Sequence, residues 1–168
     1  MRVAVTGTPG TGKTTATERL DDGLDVCHLN DVIKEEGFST GIDEDRGSLV
    51  ADLDRLSEWL DGREDVLFES HLAHHFDADR VIVLRAHPET VVERLRERGD
   101  DDSKAYENAE SEALDVILGE AVEAHGTDSV YEIETTDRDP DEVAQEIQAV
   151  VDGEREPSAG TVSYIDWL

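Results

Sequence analysis

With 168 residues, 15 Lys plus Arg against 43 Asp plus Glu, and a formal net charge of -28, the chain suits one domain with a sizeable core and excludes a nucleic-acid-gripping basic surface. A single cysteine, Cys27, excludes an intrachain disulfide and a C-x-x-C zinc framework. No run approaches the roughly 18 apolar residues of a membrane span, and a strand that starts at residue 2 leaves no room for a signal peptide, so a cytoplasmic protein is expected.

In chain order, the apolar run Arg2–Thr6 predicts a buried strand. It runs into Gly7-Thr8-Pro9-Gly10-Thr11-Gly12-Lys13-Thr14, which fits G-x-x-x-x-G-K-[ST], and then into a predicted helix, Lys13–Leu20. Strand, glycine loop and helix form the setting of a phosphate-binding P-loop. The four fixed positions arise by chance in well under ~1% of chains this long. Glycines let successive backbone N–H groups face one anion, and the helix start adds partial positive charge. Lys13 is expected to reach the β- and γ-phosphates of ATP, and the Thr14 hydroxyl to ligate Mg²⁺.

Further strands are expected at Val26–Leu29, Val66–Glu69, Arg80–Arg85 and Ser129–Ile133. Helices are expected at Leu49–Leu60, Pro88–Arg98, Ser103–Ala124 and Pro140–Val151. Pro88 and Pro140 sit where proline is tolerated, in the first turn. Within the long Ser103–Ala124 segment, Ala113, Leu114, Ile117, Leu118, Ala121 and Val122 recur at spacings of three and four. The alternation predicts an α/β three-layer P-loop NTPase fold, with a five-stranded parallel sheet and helices on both faces. Residues 1–152 form that domain, and 153–168 read as a linker and a tail ending Tyr164-Ile165-Asp166-Trp167-Leu168.

Four groups outside the loop can carry chemistry. The strand Val66-Leu67-Phe68 closes on Glu69, which in this fold emerges beside the phosphate loop and holds Mg²⁺ directly or through water. His71 lies two residues on and can orient water or contact phosphate. With His74 and His75 it reads H-x-x-H-H, a run without the flanking ligands and spacing of a known zinc site. Arg46, after Asp43-Glu44-Asp45, and Arg85, at a strand end, offer the planar fork that grips an acceptor's phosphate. Arg98 ends a helix just before Gly99-Asp100-Asp101-Asp102, an arrangement like a lid hinge, whereas Arg94 and Arg96 read as surface residues. The acid is spread along the whole chain, and only three lysines occur, Lys13, Lys34 and Lys104. Together with clear apolar periodicity, this indicates a folded protein adapted to high salt rather than a disordered one.

The P-loop with Thr-Pro-Gly inside it, the Asp43–Arg46 run, acid-x-His at Glu69–His71, and Arg98-Gly99 followed by Lys104 and Glu107-Asn108 resemble the adenylate-kinase-like family related to the human nuclear adenylate kinase. The likeness covers about residues 1–150. It implies a nucleoside-monophosphate kinase converting ATP and AMP to two ADP, with an acceptor-binding region over about 28–51 and a lid over about 97–107. It implies that Gly10, Gly12, Lys13, Thr14 and Thr15 bind ATP phosphates and that Arg98 closes on ATP. It also implies ATPase activity and a part in small ribosomal subunit (rRNA) maturation, through transient contact with a small-subunit ribosomal protein and without direct nucleic-acid binding. Two other readings stand beside it: an ATP-driven assembly factor with little kinase activity, and a kinase of another small acceptor such as shikimate or a nucleoside.

Overall fold

The computed structural model describes residues 1–20, 23–43 and 48–168. Five strands, β1 (Arg2–Thr6), β2 (Asp25–His28), β5 (Val66–Glu69), β6 (Arg80–Arg85) and β7 (Val130–Glu134), form one sheet in the order β2-β5-β1-β6-β7. Every neighbouring pair in it is parallel. The helices are α1 (Lys13–Thr17), α2 (Leu29–Glu36), α3 (Leu53–Leu60), α4 (Pro88–Arg98), α5 (Asp102–Ala113), α6 (Val116–His125) and α7 (Pro140–Val151). A separate antiparallel pair, β3 (Ser39–Asp43) and β4 (Ser48–Ala51), lies between α2 and α3.

The sheet is covered on both faces, as a parallel sheet requires. Side-chain alternation along the strands divides the core. Ala4, Val66, Phe68, Val81 and Val83 pack with Leu29, Ile33, Leu56, Leu60, Leu118 and Ala121 on one face. Val3, Val5, Leu67, Ile82 and Leu84 pack with Val143, Ile147 and Val150 on the other. A third cluster joins Val91, Val92 and Leu95 of α4 to Ala105 and Ala109 of α5, with Trp167 of the tail against it.

The five expected strands are present, two of them displaced by one residue. The departures lie among the helices and in an added hairpin. Leu49–Ala51 is strand, so the helix expected over Leu49–Leu60 starts at Leu53, where the Asp52 side chain accepts the Arg55 N–H. α2 and the hairpin were not expected. The helix expected over Lys13–Leu20 ends at Thr17. The long segment Ser103–Ala124 is two helices, broken at Asp115, whose φ of 56° is left-handed. There a carboxylate oxygen of Asp115 lies 2.5 Å from Arg85 Nη2, an ion pair that a continuous helix would have to give up.

Candidate nucleotide site

β1 delivers the glycine loop at the carboxyl edge of the sheet, where open α/β sheets bind ligands. Gly7 follows at once, and a Cβ there would lie 2.7 Å from Leu84 O, so only glycine lets the loop press against β6. Gly12 caps α1 with φ 87°. Lys13 folds back under the loop, and its Nζ donates to Gly7 O at 2.9 Å and Thr8 O at 3.2 Å. Burial pushes the Lys13 ammonium down to about 8, against the opposing charges of Glu69 and Glu112. An anion entering the loop therefore meets a half-buried lysine already held in position.

Glu69 ends β5 and is buried. Parallel register sets it beside Val5 on one side and His28 on the other. One of its oxygens accepts from the Thr14 hydroxyl at 2.9 Å and lies 2.7 Å from His28 Nδ1. A hydroxyl and a carboxylate at one point are the hard oxygen donors that suit Mg²⁺. Thr14 and Glu69 would hold the ion there, directly or through water, and it would neutralise phosphate charge.

A cavity of about 830 Å³ opens over the loop, lined from Thr8 to Ala16 and also by Glu69, His71 and Arg98. It extends past the loop in two directions. Thr135, Arg138, Pro140 and Val143 line it beyond β7, and Asn30 lines it beyond β2; these are the two edge strands of the sheet. Burial, followed by the charge of Lys13, holds the His71 imidazole down at about 4, so it is neutral near pH 7. Arg98 ends α4, and its guanidinium is 2.6 Å from Asp100. The Arg98 side chain is exposed and Asp100 only partly so, and an ion pair with an exposed partner is readily exchanged.

The structure brings Gly10, Gly12, Lys13, Thr14, Thr15, Glu69, His71 and Arg98 around one cavity. Arg46 lies outside the described residues. Arg85 corrects an expectation. It does not line the cavity; it is 1% exposed, with Glu112 at 3.2 Å, Asp115 at 2.5 Å and Glu132 at 3.5 Å, and the Tyr164 ring beneath it. Three carboxylates leave no free fork for an acceptor's phosphate.

Arg94 corrects another. It is half-buried rather than a surface residue, and it donates to Gly10 O, Thr135 Oγ1 and Thr135 O at 3.1–3.3 Å. Thr135 Oγ1 in turn donates to Thr11 O, so the two residues brace the loop from the β7 side. A signal for Arg94 existed: on a helix of 3.6 residues per turn, Arg94 and Arg98 share the face of buried Val91 and Leu95, and Arg96 does not. His28 had its signal only in strand register. Glu112 had none: it reaches Thr8 Oγ1 at 2.9 Å from a helix more than a hundred residues away.

The AAA domain family matches residues 3–115. A Halobacterium salinarum protein bearing the name "Putative adenylate kinase" is 64% identical over the whole of both chains. A Natronomonas pharaonis protein of the same name is 61% identical, again over the whole of both. The chain belongs to this archaeal adenylate-kinase-like family. Among solved structures, shikimate kinase from Acinetobacter baumannii superposes with a TM-score of 0.62 at 17% identity, covering 92% of this chain and 94% of that one. Deoxyadenosine kinase from M. mycoides superposes at 0.54 and 14% identity. The fold is thus that of the P-loop kinases.

Proposed function

We propose that this family member is a nucleoside-monophosphate kinase that transfers the γ-phosphoryl group of ATP to AMP. The observation that carries the reading is the cleft over the phosphate loop, which a P-loop lysine, the Thr14–Glu69 oxygen pair and Arg98 line together. Phosphoryl transfer needs little covalent work from the protein; positioning and charge neutralisation dominate. An oxygen of the acceptor's phosphate forms the new bond to the γ-phosphorus as the bond to the β–γ bridging oxygen breaks, and ADP leaves. The loop amides and Lys13 hold the β- and γ-oxygens. Thr14 and Glu69 would hold Mg²⁺, which would supply neutralising charge. Arg98 swings from Asp100 onto the phosphates, and neutral His71 offers a hydrogen bond without adding charge.

The acceptor side is assigned to residues 28–51, with Arg46 on the acceptor's phosphate. A coupled assay across AMP, CMP, GMP and UMP in molar KCl tests this. AMP is expected to be the best or near-best acceptor, and Arg46→Ala to raise the KM for AMP more than that for ATP. ADP formation that no monophosphate increases over bare hydrolysis would replace the kinase reading with an ATPase one. ATPase activity and a role with a small-subunit ribosomal protein draw their support from the family resemblance alone. The same assay with and without small-subunit proteins separates that role from the kinase.

A further inference from the structure

The H-x-x-H-H run acquires from the fold what its spacing lacks. Among the described residues, one group of three potential metal ligands is gathered with ligand atoms all within 4.8 Å of one another: His74, His75 and Glu120. The histidines belong to the 3₁₀ turn Ala73–His75, shortly after β5, and Glu120 comes from α6. None of the three lines the nucleotide cavity.

His74 is the informative member. It is 1% exposed, and its Nε2 has no hydrogen-bond partner. Glu120 Oε2 lies 3.5 Å from that nitrogen, beyond the usual N–H···O range. A buried polar atom left unpaired is costly and calls for an explanation. The other ring nitrogen, Nδ1, lies 2.7 Å from Thr6 Oγ1. When Nδ1 donates its proton there, Nε2 carries a bare lone pair, 3.5 Å from the Glu120 carboxylate. A hydrogen bond of this kind, fixing ring and tautomer from behind, accompanies most metal-ligating histidines. The backbone is held too, since His125 Nε2 lies 2.7 Å from His74 O. His75 is exposed and the Glu120 side chain is 40% exposed, so an ion has a way in and both side chains can close the short remaining distance.

We propose that His74, His75 and Glu120 form a binding site for a divalent transition-metal cation of the zinc class, separate from the Mg²⁺–nucleotide site. Two imidazoles and one carboxylate with a fourth position open to solvent suit Zn²⁺ or Co²⁺, whereas Mg²⁺ and Ca²⁺ prefer all-oxygen sets. The bound ion would tie α6 to the segment that follows β5, and through Thr6 to the base of the phosphate loop. Its role would be to stabilise the fold rather than to take part in phosphoryl transfer.

The test uses the full-length, tag-free chain with saturating Mg–ADP, so that the nucleotide site is filled. Equilibrium dialysis against micromolar Zn²⁺, and titration with Co²⁺ followed by its visible d–d bands, report binding; thermal melts report stabilisation. One equivalent of Zn²⁺ is expected, with a rise in Tm. His75→Ala and Glu120→Gln, both at accessible positions, should each weaken binding by about tenfold or more, abolish the rise in Tm, and leave Mg–ATP-dependent turnover unchanged. Absence of retained Zn²⁺ at micromolar free ion, or binding that both substitutions leave undiminished, overturns the proposal.

Discussion

Lys13 illustrates how much one residue's position decides. Its ammonium is half-buried against the loop and bound to two loop carbonyls, so replacing it removes a positioned charge that water does not easily substitute. Lys13→Ala should lower kcat/KM by about a hundredfold or more, on the order of 3 kcal/mol of transition-state stabilisation. A folded variant that keeps turnover within threefold of the parent would contradict the P-loop assignment. Arg94 acts at one remove, as a positioning residue. Arg94→Ala should raise the KM for ATP several-fold while Arg94→Lys recovers part of the loss, because a single ammonium can still bond Gly10 O but not Thr135 at the same time. Initial-rate kinetics over both substrates measure the split. Arg85 belongs to stability. Removing one member of a buried charge cluster costs about 3–5 kcal/mol, so Arg85→Met should shift the urea midpoint strongly downward. An effect confined to the KM for AMP, with the midpoint unmoved, would restore Arg85 to the acceptor site.

Among the elements, the C-terminal tail is docked on the body of the protein. Glu132 accepts from Gly160 N at 2.6 Å and Val162 N at 3.0 Å, Tyr164 stacks edge-on against His87, and Trp167 covers the α4–α5 cluster. That cluster contains Leu95, whose Cγ would sit 3.1 Å from a Cβ at Gly10. The tail thus backs the helix on which the phosphate loop rests. Deleting residues 164–168 should cost about 1–3 kcal/mol of stability, measured by urea unfolding, with a rise in the KM for ATP. Ile165 and Leu168 remain more than half exposed. The break between α5 and α6 has a similar logic. The Asp115 carboxylate joins Arg85, and Glu112 one turn earlier accepts from Ala86 N at 2.8 Å, so α5 is anchored to the end of β6 where the helical repeat is interrupted.

At the scale of the molecule, charge is the dominant fact. A net charge of -28 repels itself at low ionic strength, and that repulsion opposes a folding free energy of only roughly 5–15 kcal/mol. At 1 M salt the Debye length falls to about 3 Å and the repulsion is screened. The Tm should rise steeply from dilute buffer to molar KCl; a flat profile would mean that the acidity serves something other than salt tolerance. The interior is ordinary by contrast, with its large apolar side chains distributed over the two faces of the sheet. Glu69, Glu112 and Glu132 are the buried acids among the described residues; the others stand at least partly in water, where acidic side chains cost little to hydrate.

What could be read from the chain alone was whatever local pattern encodes. The glycine loop, the alternating strands β1, β5 and β6 and the proline-led helices α4 and α7 each carry their signal within a few residues, because loop geometry, side-chain periodicity and capping are short-range. The parallel sheet followed from their order. Tertiary structure decided the rest, because those contacts join residues far apart in sequence. Register put His28 beside Glu69, packing turned Arg85 inward onto three carboxylates, and the break at Asp115 split one apolar periodicity into two helices. The same is true of Glu120, which completes a three-ligand cluster with His74 and His75 only when α6 folds back across the sheet. Sequence periodicity says which face of a helix is buried; only the packed chain says which polar groups meet there.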